Sequence, residues 1–159
     1  MMLQQEVAKS LENETYFVDV NGSKYKGAIN LLAEMEYISG SGNGKFNPSD
    51  YITYNAACKI LVHALGYNVI TDSKDLASYA LTAGTIGITD GMDSGAQYLT
   101  FAQAMIMFDN TLDVGMMIPM YYNDNIAPSY EVDQGRTYRN FLNGRTGTGI
   151  VKLRGIVTA

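Results

Sequence analysis

The stretch GSGNGKFNPSDYITYNAACKILVHALGY, residues 40–67, decides how this chain is read. It opens with glycine at every second position, Gly40, Gly42 and Gly44, and then turns apolar. Such a loop ahead of a helix cradles a phosphate, holds a metal or makes a sharp turn. A phosphate loop of the Walker type closes on Gly-Lys-Ser/Thr, and here Lys45 is followed by Phe46. A dinucleotide fingerprint follows a buried strand, whereas the residues before Gly40 have helical spacing. A calcium loop alternates acidic ligands, yet Asp50 is the lone acid between Glu36 and Asp72. The turn reading is left. Pro48 and Ser49-Asp50 mark a second turn, and Thr53 stands as an N-cap for a helix running to about Leu65. Ala57, Ile60, Leu61, Ala64 and Leu65 fall on one stripe of that helix, and Gly66 is placed to end it.

Working outward, Leu3, Val7, Ala8 and Leu11 predict a short amphipathic helix over residues 3–11. Asp19, Asn21, Gly22 and Ser23 predict a bend. Lys24 to Ile38 is predicted as a helix burying Tyr25, Ala28, Ile29, Leu32 and Met35. A shift of 47 positions then aligns Gly40 with Gly87, Gly44 with Gly91, Ile52 with Leu99 and Thr53 with Thr100. The same shift pairs Ala57 with Ala104, Ile60 with Met107, Leu61 with Phe108 and Leu65 with Leu112. The unit is helix, glycine-bearing loop and Thr-capped helix, too small to bury its own apolar face, so copies must pack on one another. Helical periodicity fades after Val114. The tail ends in GIVKLRGIVTA, where Val151, Leu153 and Val157 alternate with Lys152, Arg154 and Thr158. The expected organisation is a helical repeat domain over residues 1–114 and a β-rich appendage, or the start of a further domain, over 115–159.

The 159 residues carry a net charge of −5, and no basic cluster exists to neutralise phosphates, which argues against nucleic acid. No run approaches the ~18 apolar residues of a membrane span, and no secretory leader is visible at the N-terminus. Cys58 lies in an apolar helical pattern and reads as a buried, inert thiol. His63 has neither a second histidine nor a cysteine at ligand spacing, and reads as structural. The acidic YNDN cluster at Asp124 reads as a solvated turn, and the nine methionines as core filling. No catalytic constellation, metal site or cofactor is expected, so the chain reads as non-enzymatic.

Residues 17–67 resemble the S-layer homology repeat of bacterial surface proteins, on Phe17, Asp19, Val20, Ala28, Ile29, Leu32, Gly40, Gly44, Phe46, Pro48, Ile52, Thr53, Leu65 and Gly66. A more degenerate copy covers about 75–114, through AGTIGITDG and LTFAQAM. The N-terminal helix is similar to a remnant of, or substitute for, an earlier repeat. The resemblance implies a mainly helical fold, its repeats packed as a pseudo-threefold bundle. It implies a module at the bacterial cell wall that attaches a larger protein, without covalent bonds, to pyruvylated secondary cell-wall polysaccharide.

The implied glycan-binding residues are Asp19, Tyr25 at the family's Trp position, Gly40, Ser41, Gly42, Asn43, Gly44, Thr53 and Tyr54. An aromatic ring stacks on a sugar face, and amides freed by glycine can cradle a carboxylate. The family's Arg after Thr, suited to a ketal carboxylate, is Tyr54 in the first copy and Phe101 in the second, and its Glu is Ala56. Those departures motivate an alternative reading. A structural protein of a surface layer or phage-like particle could keep the repeat as scaffold and self-associate by β-augmentation through Ile150–Thr158.

Overall fold

The computed structural model of the protein describes residues 2–72, 74–93, 97–120 and 129–133. The strand expected at Ile150–Thr158 and the Asp124 cluster lie outside the described residues. Five α-helices dominate the described residues: α1 Met2–Ser10, α2 Lys26–Glu34, α3 Tyr54–Ala64, α4 Leu76–Thr85 and α5 Phe101–Asp113. Short 3₁₀ turns follow α1 at Leu11–Asn13 and α3 at Tyr67–Ile70. A small antiparallel sheet of β1 Met117–Met120 and β2 Ser129–Val132 comes after, Met117 opposite Val132. The mainly helical reading therefore holds.

The helix boundaries follow from their caps. Thr53 accepts a hydrogen bond from the Ala56 amide at 3.2 Å. Thr100 accepts from the Gln103 amide at 3.2 Å, and the Gln103 side chain accepts from the Thr100 amide at 2.9 Å, a full capping box. Gly66 ends α3 at φ 85°, a left-handed conformation that a side chain resists. Removing either hydroxyl, by Thr53→Ala or Thr100→Ala, is expected to cost about 1 kcal/mol in urea unfolding.

The helix predicted over 24–38 is shorter and turned. It starts only after a turn in which Tyr25 donates to the Ser23 hydroxyl. It stops where Glu36 turns left-handed at φ 60° and the Tyr37 amide donates back to Leu32 at 2.9 Å. Its buried residues are Gly27, Ile29 and Asn30; Ala28 is exposed, and Tyr25 stays 60% exposed. The cause is α1, which crosses so near Gly27 that a Cβ there would collide with the Ala8 carbonyl. Asn30 then bridges the chain after α1, donating to the carbonyls of Leu11 at 2.8 Å and Glu14 at 3.1 Å.

The repeat also needs a correction. Gly87 ends α4 in the left-handed region at φ 87°, with the Ile88 amide donating back to Ala83 at 2.9 Å. Its structural counterpart is therefore Glu36, not Gly40. From C-cap to N-cap, Met35 to Thr53 spans 18 positions but Ile86 to Thr100 only 14. The four extra residues belong to the glycine stretch, so the 47-position shift aligns the second helices and not the first loops.

Two apolar clusters hold the described residues. The larger joins Cys58, Leu61, Val62 and Leu65 of α3 and its end to Tyr79 and Ala83 of α4, Ile88, Leu99 and Met107 of α5. The smaller joins Phe17, Val20 and Ile29, with Phe46 packed on it. The two Thr-capped helix starts are tied edge to edge: Tyr54 donates to Gln97 and Leu99 donates to Ile52, both at 3.1 Å. The hairpin is anchored beneath α3, since the Met117 amide donates to the Leu65 carbonyl at 2.8 Å.

Candidate functional site

The glycine stretch forms a tight hairpin turn. Lys45 donates back to Gly42 at 3.0 Å, and Ser41 donates to Lys45 at 2.8 Å. Asn43 and Gly44 at its tip have φ 51° and 69°, the pair of left-handed residues that Asn-Gly favours in such turns. Gly40 is there for a different reason: a Cβ would meet the Lys45 carbonyl, and would lie 2.6 Å from the Phe17 ring.

Asp19 clamps the loop from outside. One carboxylate oxygen accepts from the Phe46 amide at 2.9 Å, the other from the Asn47 amide at 2.7 Å. The Phe46 amide is the main reason its carboxyl sits below the ordinary 3.8; burial opposes it, while the Asn47 amide and the Lys45 charge add to it. Both oxygens of Asp19 thus serve the fold of the loop.

Two grooves flank Phe46 and Pro48, which line both. The first, about 500 Å³, runs between the hairpin and α3 and is lined by Gly40, Ser41, Tyr51, Thr53 and Lys59 among others. Tyr37 and Asp50 also face it, and the Lys59 ammonium donates to the Ser39 hydroxyl at 3.4 Å. The second, about 630 Å³ and shallower, holds Asp19, Lys24 and Tyr25, with the Lys24 ammonium 4.9 Å from the centre of the Tyr25 ring. The residues singled out from sequence are therefore divided. Gly40, Ser41 and Thr53 line the first groove; Asp19 and Tyr25 line the second; Gly42, Asn43, Gly44 and Tyr54 line neither. Tyr54 instead packs on the larger core cluster. Sequence reasoning missed Lys59, which α3 turns away from the core-packed Tyr54 to face the loop; its i+3 spacing from Ala56, which also lines the groove, was the available signal.

Behind the groove, His63 lies between the rings of Tyr37 and Tyr79, 5.7 and 5.4 Å centre to centre. Its Nε2 is 3.1 Å from the Tyr79 hydroxyl, so it joins α3 to α4 as a structural residue. Burial lowers its pKa from 6.5, helped by the Lys59 charge and opposed by Glu36. The Cys58 thiol is fully buried, and burial pushes it up to about 11, so it is unreactive at neutral pH. Both His63 and Asp19 bind protons more weakly when folded, so each loses stability as pH falls. Stability is expected to decline first as pH drops below 6.5 and again below 3.8. In thermal melts across pH 7 to 3, His63→Gln should remove the first decline and leave the second.

No helix among the described residues is long and apolar enough to cross a membrane. No solved structure matches the chain. A surface layer protein of Brevibacillus choshinensis is 26% identical over 120 residues, 75% of this chain but 11% of that protein. The chain thus spans about a tenth of the length of this curated relative. The family model of the S-layer homology domain matches residues 16–58, from the turn-rich segment before α2 into the first half of α3. That segment holds the Asp19 clamp, the hairpin and the first groove's wall, and over it the chain matches the S-layer homology domain, with the surface layer protein as a similar relative.

Proposed function

We propose that this chain is a non-catalytic wall-anchoring module that binds an acidic, pyruvylated cell-wall polysaccharide in the groove between the hairpin and α3. The observation carrying the reading is the composition of that groove. It combines two tyrosine rings, Tyr37 and Tyr51, hydroxyls from Ser39, Ser41 and Thr53, one carboxylate, Asp50, and one ammonium, Lys59. Rings stack on pyranose faces, hydroxyls exchange hydrogen bonds with sugar hydroxyls, and an ammonium pairs with a carboxylate. Lys59 supplies the cation that the motif lacks at Tyr54. Tyr25 and Lys24, across Phe46–Pro48, give a second ring and cation for the next sugar along an extended chain. Gly42, Asn43, Gly44 and Asp19 act by shaping the loop, and Tyr54 by packing α3.

Co-sedimentation with purified pyruvylated wall polysaccharide tests this. Retention should be strongest at low salt and fall when the ketals are stripped. Lys59→Ala should weaken it about ten-fold or more, the worth of a charge-assisted hydrogen bond. No retention at low salt, or equal retention of stripped polysaccharide, contradicts the reading.

A further inference from the structure

The second helix of each repeat shows the same face to very different surroundings. Counting from the N-caps Thr53 and Thr100, Tyr54, Cys58 and Leu61 on α3 correspond to Phe101, Met105 and Phe108 on α5. On α3 this face lies inside the larger cluster: Cys58 is 0% and Leu61 6% exposed, packed with Tyr79 and Ala83 of α4. On α5 it is bare, with Phe101 83%, Met105 49% and Phe108 55% exposed. α5 is already seated on the core through Met107 and Thr111, which leaves the 101–105–108 stripe pointing away from it. The chain pairs α1 with α2 and α3 with α4. α5 is the odd helix, and repeat equivalence calls for a helix over its stripe.

We infer that this stripe is the interface of a homodimer, in which α5 packs antiparallel on α5 of a second copy. Its chemistry favours a protein surface. α5 contains no lysine or arginine, so it lacks the basic face that draws a helix to an anionic membrane. Its two acids, Asp109 and Asp113, both lie toward its C-terminal end. In an antiparallel pair Asp109, on the flank of the stripe, lies toward the partner's helix N-terminus, the positive end of its dipole, while Asp113 lines a separate groove with Asp90 and Val132. Three large, half-bare side chains with their neighbours offer about 450 Å² per copy. Doubled, this approaches the ~1,000 Å² at the lower edge of specific interfaces, so the dimer is weak and concentration-dependent.

Sedimentation equilibrium of the whole chain reads this directly. The mass should rise from one chain toward two as concentration reaches the millimolar range. The double variant Phe101→Ser/Phe108→Ser should remain a single chain with an unchanged melting curve, since both rings are exposed. As an independent readout, Met105→Cys should form a disulfide-linked dimer under mild oxidation while Leu81→Cys, on α4 and more exposed, should not; native Cys58 is buried and silent. A mass of one chain at every concentration overturns the inference. So does association that the double variant leaves unchanged. A monomer that binds a hydrophobic dye, and loses that binding in the double variant, assigns the stripe to a different partner and equally overturns it.

Discussion

Asn30→Asp should be the most damaging single-atom change in this protein, lowering stability at pH 7 by more than about 3 kcal/mol. Asn30 is fully buried, and its amide nitrogen donates to two carbonyls, those of Leu11 and Glu14. Aspartate would put a charged oxygen against both. The other oxygen fares no better, because the Asn30 Oδ1 has no hydrogen-bond partner among the described residues. A buried carboxylate with no donor takes up a proton, and the protonated acid can donate one hydrogen bond. The variant should therefore regain stability relative to wild type as pH falls toward 5. Asn30→Leu loses the two donors but leaves no charge, and should cost about 2 kcal/mol with no such pH dependence. Urea unfolding at pH 7 and pH 5 separates the two variants. Equal losses for both would mean that Asn30 is a packing residue and its hydrogen bonds are incidental. Hydrogen exchange should show the loss concentrated in α1, which Asn30 fastens to α2.

Leu65→Ala should cost about 3 kcal/mol, within the range for emptying a fully enclosed leucine site. Leu65 is 0% exposed and stands where α3, the 3₁₀ turn and β1 converge. Its carbonyl also receives the Met117 amide, so a shift of this residue loosens the hairpin as well as the core. The next residue shows the same convergence: a Cβ at Gly66 would lie 2.7 Å from the Met117 carbonyl, on a backbone already left-handed. Gly66→Ala should accordingly cost about 1–3 kcal/mol, by strain where Leu65→Ala acts by cavity. A loss below about 1 kcal/mol for Leu65→Ala would show that the site collapses and that β1 is held by other contacts.

What could be read from the sequence was local. Thr53, Thr100 and Gly66 carry their roles in their own chemistry, and the structure uses each as read. Asn30 could not be read that way. On a helical wheel it belongs to the polar face of α2, and only the approach of α1 over Gly27 buries it. The repeat misled at its first loop because a left-handed helix end usually announces itself as glycine. Gly87 does so, but its counterpart is Glu36, and a fixed shift then paired the wrong glycines. The residues singled out for glycan binding divided for a related reason. Motif order sets Asp19 beside the glycines, yet the contact it makes is with backbone amides of Phe46 and Asn47, leaving Lys59 as the cation facing the groove.

Much of the motif thus acts on folding. Phe17, Val20, Ile29 and Phe46 form the smaller core, Asp19 clamps the loop, Thr53 caps α3 and Gly66 ends it. On the proposed reading, the chain preserves that pattern while the cation for an acidic glycan comes from Lys59 instead of position 54.

The most direct test is a backbone amide titration with a short wall oligosaccharide bearing one pyruvate ketal. The account predicts saturable shifts at Gly40, Ser41, Thr53 and Lys59, reduced at least several-fold in affinity by Lys59→Ala, with α5 unmoved. Shifts confined to other surfaces, or none at all with the fold intact, would contradict it.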